Sequence, residues 1–454
     1  MAVRNVVKIS ELEGHRRLDA EYYHPKYPAM LDALHKIGAV PLSTVATPAK
    51  RKFTPRASQP FSYIEISEVD TSTGAINAVG LPGGEAPDRA QWIVRKGDVI
   101  VSTVRPNRNA VSLITDHEDG FVCSSGFAVL RAATVAPHYL FVFLKARPIV
   151  ELLDRQTTAT MYPAISWQDI LAIPVLKPDR QLEQSITEMV VQTQLYLEQS
   201  RSLYLQAERM MIDRLGFARL ELSQPTWWIA SRSYALDVRR LDAEYYQPKY
   251  QQILKRILDE PCAPLANVAM TIRSGKTPAA DEYSVEGVPI LKVQGLRDTA
   301  LIEECDAYVP VSWAQANAKA AVRQGDAFML CAAHHPSYIG KTGLLIKDLG
   351  PLARAVGELI ILRFNDSVFA QFACVYLNLP PVRLAVQRLT RGNTAHLYSG
   401  DLSSMPVPLL PSQFQRQVAD LVHQSHNARE MAKALLNEAK AKVETLIESA
   451  FTAT

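Results

Sequence analysis

The sequence predicts an α+β protein: two pseudo-symmetric mixed α/β modules separated by a pair of long antiparallel coiled-coil helices. Three observations carry this. A twelve-residue phrase occurs twice, as Arg16-Arg17-Leu18-Asp19-Ala20-Glu21-Tyr22-Tyr23-His24-Pro25-Lys26-Tyr27 and as Arg239-Arg240-Leu241-Asp242-Ala243-Glu244-Tyr245-Tyr246-Gln247-Pro248-Lys249-Tyr250, with only His24 and Gln247 differing. Each copy is followed by short strand-like segments punctuated by Gly and Pro. Each then closes on a stretch free of Gly and Pro, 179–215 and 412–450, whose apolar residues step by three and four.

The repeat continues more weakly. Pro41-Leu42-Ser43-Thr44-Val45-Ala46 matches Pro264-Leu265-Ala266-Asn267-Val268-Ala269, and Val94-Arg95-Lys96-Gly97-Asp98 matches Val322-Arg323-Gln324-Gly325-Asp326. Ile173-Pro174-Val175-Leu176-Lys177-Pro178 matches Met405-Pro406-Val407-Pro408-Leu409-Leu410. The offset grows from 223 to about 232, so the second copy carries small loop insertions. A duplicated chain is read as two equivalent halves before length is used to count domains. The divergence between the anchors suggests a shared scaffold holding two different surfaces.

The elements follow in order. Residues 1–40 form a leader in which Pro25 starts a helix, Tyr27, Met30, Leu31, Leu34 and Ile37 line one face, and Gly38 stops it. The tyrosine pair beside the proline reads as packing. Residues 41–178 form the first module, with a strand at Phe61–Ile66, a turn feeding a strand over Gly97–Ser102, another strand at Gly126–Arg131 and an apolar helical run from Tyr139 to Leu153. Residues 179–216 form the first long helix, with a seam through Leu182, Ile186, Met189, Thr193, Tyr196, Ser200, Leu203, Ala207 and Met210. Residues 217–262 are a connector carrying the second leader, in which Pro225, Trp227 and Trp228 suggest a turn pinned by indoles. Residues 263–411 form the second module and 412–454 the second long helix. That helix has a seam through Val418, Leu421, Ser425, Ala428, Ala432, Leu435 and Ala439, and a stutter of four to Val443. A helix of about 37 residues reaches roughly 55 Å, which suits a spacer better than a core element.

Composition bounds the function classes. Hydrophobic content of 48% with 21% charge describes an ordinary globular chain, and a net charge of +3 neither demands nor excludes a local basic groove. Cys123, Cys262, Cys305, Cys331 and Cys374 lack paired spacing and read as reduced thiols. No charged-then-apolar leader and no run of eighteen apolar residues occurs, so a cytoplasmic protein is expected.

Polar loops mark the candidate surface. In the first module they are Lys50-Arg51-Lys52-Phe53-Thr54-Pro55-Arg56, Arg105-Pro106-Asn107-Arg108-Asn109 and the stretch beginning at Gln156. In the second they are Arg273-Ser274-Gly275-Lys276, Lys292-Val293-Gln294, the loop holding His334 and His335, and Arg391-Gly392-Asn393. Any one of these reads equally as a solvated loop; several in one module point to nucleic acid. Arg and Lys supply phosphate contacts, while Asn, Gln and Arg can meet base edges bidentately.

Catalytic signatures are missing. Gly275-Lys276-Thr277 and Gly340-Lys341-Thr342 imitate a phosphate loop, but the required first glycine falls on Met270 and on His335. No Asn-Pro-Pro-aromatic stretch and no G-x-G-x-x-G after a strand occurs, so methyl transfer by this chain has no support. Cys331, His334 and His335 lack a second Cys/His pair at finger spacing, and no metal is expected. These absences favour a recognition subunit over an enzyme.

Several phrases together carry a resemblance. Gly275-Lys276-Thr277-Pro278 precedes Gly287-Val288-Pro289-Ile290-Leu291; Lys96-Gly97-Asp98-Val99-Ile100-Val101-Ser102 precedes Arg105-Pro106-Asn107. Ile173-Pro174-Val175-Leu176-Lys177-Pro178 leads to Gln181-Leu182-Glu183-Gln184-Ser185-Ile186. In this order, with two variable modules each closed by a long helix, the whole chain resembles the specificity (S) subunit of type I restriction–modification systems. The second copy departs at Ser412-Gln413-Phe414-Gln415-Arg416-Gln417, where the family usually has Glu-Gln. The resemblance implies two target-recognition domains, each binding one half of a split, asymmetric DNA site, with the helix pair fixing the gap. Roughly 55 Å is on the order of 16 base pairs. It implies two modification subunits that carry S-adenosylmethionine and flip the target adenine, and restriction subunits that carry ATP-driven translocation and cleavage. This chain would then hold no cofactor, and its helices and repeated leaders would dock the partners. An adaptor binding protein or RNA partners is the alternative from another class.

Overall fold

The computed structural model describes residues 3–10, 12, 17–158, 163–223, 225–293, 296, 301–302, 305, 307–333, 336–392 and 395–452. The chain divides into two compact units, one of Met1–Glu198 with Ala428–Thr454 and one of Gln199–Asn427. Each unit therefore owns one module and about half of each long helix.

In the first unit the leader helix spans Lys26–Lys36 and ends at Gly38, whose φ of +85° suits a residue without Cβ. Val40–Pro41 pairs antiparallel with Pro174–Val175, so the first and last strands of the module clasp each other. Between them lie two four-stranded sheets. One runs in the order Ala46–Pro48, Phe127–Ala132, Asp98–Ser102, Val111–Leu113, all antiparallel. The other orders Val79–Leu81, Phe61–Ile64, Val122–Ser124, Ala90–Ile93, with Phe61–Ile64 parallel to Val122–Ser124. Every residue of Asp98–Ser102 is buried. Its alternation sends Val99 and Val101 into a core with the helices and Ile100 into a second core against Ile64, Cys123 and Phe127.

The expected helical run from Tyr139 to Leu153 is two helices, Pro137–Lys145 and Arg147–Arg155. Ala146 between them is extended, with ψ of 136°. Pro148 is the cause, since it lacks an N–H for the carbonyl four residues back and its ring crowds that carbonyl.

The second unit repeats the plan. The second leader helix is Pro248–Leu258, and Cys262–Pro264 pairs with Pro406–Pro408. A five-stranded sheet orders Ala269–Ser274, Leu359–Phe364, Ala327–Leu330, Thr342–Leu345 and Leu301–Ile302. A three-stranded sheet holds Tyr308–Val309, Val288–Leu291 and Arg354–Ala355. The central Ala327–Leu330 again divides its side chains, Ala327 and Met329 to one core and Phe328 and Leu330 to another. In the connector Trp227 is 73% exposed, whereas Trp228 is half-buried and lines a cavity with Pro225, Gln247 and Pro248.

The long helices span Arg180–Arg214 and Ser412–Thr452. In the first unit Ile186 and Val190 share a core with Leu436, Ala439, Val443 and Ile447, and Lys442 Nζ donates to Ser185 Oγ at 3.2 Å. In the second unit Tyr204, Ala207 and Met211 share a core with Val418 and Val422. Early residues of one helix thus meet late residues of the other, an antiparallel pairing. The seam is shifted from the expected one. Ile186, Thr193, Ser200 and Ala207 are buried as expected, but Val190, Tyr204 and Met211 replace Met189, Leu203 and Met210. Likewise Val422, Leu436 and Ile447 are buried instead of Leu421, Leu435 and Leu446. The physical reason is that each helix packs on its module as well as on its partner, which widens the apolar stripe and turns its centre by one residue.

Three buried charged side chains organise these cores. Asp98 opens the central strand, accepts the Arg95 N–H at 2.7 Å and the Arg131 Nε at 2.7 Å, and pairs with Arg51. Asp326 repeats this with the Arg323 N–H at 2.9 Å and Arg363 at 2.6 Å. Lys145 is buried at the end of its helix, where Nζ donates to Thr71 O at 2.9 Å and Asn109 O at 3.3 Å.

Two predictions follow from these groups. Asp98→Ala or Asp326→Ala leaves partly exposed guanidinium groups and a backbone N–H without their buried acceptor and should cost about 1–3 kcal/mol in denaturant melts. Unchanged melting would show the ion pairs to be dispensable. Burial lowers the Lys145 pKa to about 7; Lys440 adds to the depression and Asp70 opposes it. The unfolded chain keeps that proton up to about 10.4. Between these values the unfolded state binds more protons, so stability should rise with pH across the window. Melting wild type and Lys145→Met from pH 6.5 to 9.5 should show wild type gaining on the variant; parallel curves would contradict the assignment.

Candidate nucleic-acid interface

The first unit gathers its polar loops around one backbone frame. Beyond strand Asp98–Ser102 the chain runs beside residues 163–165: Ile165 N–H donates to Thr103 O at 2.9 Å and Arg105 N–H to Pro163 O at 2.7 Å. Thr158 and Ala164 exchange backbone bonds of 3.0 and 3.2 Å, closing the loop that starts after Gln156. The single turn Pro106–Arg108 is flanked by Arg105 and Asn109, both left-handed with φ of 50° and 58°. Left-handed backbone at a residue with Cβ costs roughly 1 kcal/mol or more and concentrates at functional sites. Here the surroundings enforce it, since Asn109 Nδ2 donates to Lys145 O at 3.0 Å while the Lys145 ammonium grips Asn109 O. Asn107 and Arg108 stand exposed on this rigid turn.

The segment from Lys50 to Arg56 borders the same frame. Lys50 Nζ sits 4.9 Å over the Trp167 ring, and Trp167 meets Trp92 edge-on at 5.7 Å. Lys52, bridged by its backbone to Trp92, is exposed, as is Arg56. Arg51 differs: its Nε donates to Ile93 O at 3.2 Å and its terminal nitrogen engages Asp98, so it serves the fold. Gln156 is half-buried at the end of helix Arg147–Arg155, at the base of the loop.

The second unit has the equivalent frame. Ala332 bridges His396 as Val104 bridges Ala164, and Arg391 pairs with His396 as Thr158 pairs with Ala164. The single turn Pro336–Tyr338 follows its strand as Pro106–Arg108 does. Arg273 donates to Ala321 O at 3.0 Å, matching Arg51 and Ile93, and is likewise structural. Arg391 is exposed but pairs with Asp401 at 2.6 Å. Lys292 is half-buried, with Nζ 4.3 Å over the Tyr283 ring. Lys276 is exposed two residues past strand Ala269–Ser274. A Cβ at Gly275 would lie 2.2 Å from Ala355 O, so that close approach requires glycine. Gln294, His334, His335 and Asn393 lie outside the described residues.

The phosphate-loop lookalikes are closed by their own backbone. Gly275 and Lys276 N–H groups donate to Leu359 O and Ala355 O, and Gly340, Lys341 and Thr342 N–H groups to Leu330 O, Tyr338 O and Asn378 Oδ1. None of these donors is left for an anion. Burial pushes the thiols of Cys123, Cys331 and Cys374 up, away from thiolate chemistry. Among the described residues no group of three or more His, Cys, Asp and Glu could hold a metal, and no helix is long and apolar enough to cross a membrane.

Sequence reasoning missed Lys145, which bonds the turn at Asn109, and Tyr338 and Tyr398, 50% and 53% exposed beside the second frame. The offset of Pro336 from Pro106 was the available signal for Tyr338.

No family model matches the chain. The type I restriction enzyme HindI specificity subunit of Haemophilus influenzae is 24% identical over 110 residues, 23% of this chain and 24% of that protein. The chain thus spans about a quarter of the length of the curated relative it matches. Among solved structures, the HsdS subunit from Thermoanaerobacter tengcongensis is 23% identical, with 91% of this chain and 95% of that chain covered at a TM-score of 0.30. The S subunit of a type I restriction-modification system from M. genitalium is 13% identical, with 90% and 95% covered at 0.36. TM-scores at this level carry no argument about architecture, which rests on the contacts above. The chain is similar to the specificity subunits of type I restriction–modification systems.

Proposed function

We propose that this chain is the non-catalytic DNA-recognition subunit of a type I restriction–modification enzyme. One observation carries the reading. The two units hold matched loop frames, Val104–Ala164 with Thr158–Ala164 and Ala332–His396 with Arg391–His396, yet present different exposed polar side chains on them. Equal scaffolds with unequal polar tips are what reading two different half-sites requires. Each module then reads one half of a bipartite, asymmetric site, and the long helices set the gap between the halves. Lys52, Arg56, Asn107 and Arg108 in the first unit, and Lys276, Lys292 and Arg391 in the second, supply phosphate and base-edge contacts. S-adenosylmethionine belongs to two modification subunits and ATP to restriction subunits where the system has them, so this chain carries no cofactor.

Replacing residues 41–178 with another module and sequencing methylated genomic sites tests this. One half of the methylated sequence should change and the other persist; an unchanged sequence would refute the reading. At the level of single residues, Arg108→Ala or Lys276→Ala in the assembled complex should weaken duplex binding about tenfold and flatten its salt dependence, with melting unchanged. Arg51→Ala should instead lower the melting midpoint first. Binding indifferent to salt between about 50 and 200 mM would point to a protein partner instead.

A further inference from the structure

The repeated leader has a second, unassigned role in the structure. In the first copy the Arg17 guanidinium lies bidentate on Asp19, with Nε to Oδ1 at 2.8 Å and Nη2 to Oδ2 at 2.5 Å. Its outer N–H groups donate to Gln156 O at 3.1 Å and Thr157 O at 2.8 Å. In the second copy Arg240 grips Asp242 at 2.8 and 2.6 Å and donates to Leu389 O at 3.1 Å and Thr390 O at 2.7 Å. The returning half of the contact is equally repeated. Arg155 Nε donates to Tyr22 O at 2.9 Å and Arg388 Nε to Tyr245 O at 2.9 Å. Each of these tyrosine rings is stacked between two guanidinium groups, Arg17 and Arg155 at 4.4 and 4.1 Å, Arg240 and Arg388 at 4.5 and 3.9 Å. The following tyrosine closes the phrase: Tyr23 Oη donates to Arg17 O at 3.0 Å and Tyr246 Oη to Arg240 O at 2.7 Å.

What the clamp holds is the carboxyl end of a helix at the root of a candidate recognition loop. Gln156 and Thr157 are the first two residues beyond helix Arg147–Arg155; Leu389 and Thr390 follow helix Pro380–Gln387 and its cap Arg388. Their carbonyls sit just past the negative end of the helix, where a cation is favoured. The very next residue, Thr158 or Arg391, is the one that closes the loop base. The clamp is spelled identically in both copies, whereas the loops it seats differ: Ala159-Thr160-Met161-Tyr162-Pro163 against Gly392-Asn393-Thr394-Ala395. A fixed grip on a changing loop is the arrangement of a positioning device, because it removes the loop's freedom at its root without dictating what the loop reads.

We infer that Arg17 and Arg240, oriented by Asp19 and Asp242, are positioning residues for target discrimination: each sets the register of the loop in its own unit and touches no DNA itself. The inference rests on the DNA-recognition reading above. Lysine keeps the charge but cannot span a carboxylate and two carbonyls in one plane, so Arg17→Lys and Arg240→Lys are the informative changes.

The test uses the full chain in its complex with modification subunits, and duplex libraries randomised in one half-site at a time, read by sequencing of methylated products. Arg17→Lys should flatten base preference about tenfold in the half read by the first module and leave the other half within about twofold; Arg240→Lys should do the reverse. A purely structural role would lower methylation of both halves together with the melting midpoint, and that result, or unchanged preference, overturns the inference. Should Arg17→Lys fail to fold, Asp19→Asn loosens the same guanidinium and should produce the same one-sided loss. Amide exchange in the full chain judges the clamp without DNA. Arg17→Lys should speed exchange at 156–158 and 163–165 and leave 389–391 alone, and no change there overturns it. A wild-type complex with no half-site preference would instead overturn the DNA reading, leaving the exchange result to decide the clamp.

Discussion

A carboxylate buried at the head of the central strand is the constraint on which each module depends. Asp98 and Asp326 are both fully buried, and each receives a backbone N–H three residues back and a guanidinium from the adjacent strand. An isolated carboxylate in such a place would be costly; the paired, hydrogen-bonded one is tolerated and directional. It locks the Gly97 or Gly325 turn to the strand that follows and that strand to its neighbour. Since the strand's far end runs directly into the polar turn at Pro106 or Pro336, a rotation at its head would be transmitted to that turn.

The same logic, rigid support under a polar tip, recurs at the other end of the strand. Arg105 and Asn109 hold left-handed backbone where Arg105 N–H bonds Pro163 O and Lys145, itself bound to Thr71 O, bonds Asn109 O. Burying an ammonium to hold two carbonyls is an expensive way to support a turn on stability grounds alone. It is understandable where the turn must be presented in one conformation, since an ordered tip loses less entropy on binding. The leader clamp applies that support to the adjacent loop.

Much of this was legible in the sequence, and the exceptions share a cause. The leader helices, the central strands and the long helices follow from periodicity and from Pro and Gly at their ends, all of them local signals. The break at Ala146 was also local: Pro148 announces it, and the apolar pattern on both sides concealed it. Arg51 and Arg273 stand in polar, basic stretches and look like surface cations. They are engaged by groups far along the chain, Arg51 by Asp98 across 47 residues and Arg273 by Ala321 across 48. Charge pattern cannot distinguish a cation awaiting an anion from one already holding it, because the difference lies in tertiary contact. The duplicated phrase shows the converse. Arg17-Leu18-Asp19 was visible as a repeat, but its task depends on Gln156 and Thr157, 139 and 140 residues away.

The long helices make the same point about seams. A heptad line read from sequence assumes a single partner, whereas each helix here is buried on two sides, by its antiparallel companion and by its module. Within the second unit the pair also contains Ser200 and Ser425, whose hydroxyls lie 3.1 Å apart, with Ser425 Oγ donating to Ser200 O at 2.7 Å. In the first unit Arg429 reaches from the second helix to buried Asp70. Apolar seams slide at little cost because one methyl group substitutes for another. A buried hydroxyl pair and a buried ion pair do not slide, since one residue of slippage separates donor from acceptor. The hydroxyl contact therefore fixes the register of the two helices where it sits more firmly than the alanines and leucines around it, and the ion pair fixes the second helix on its module.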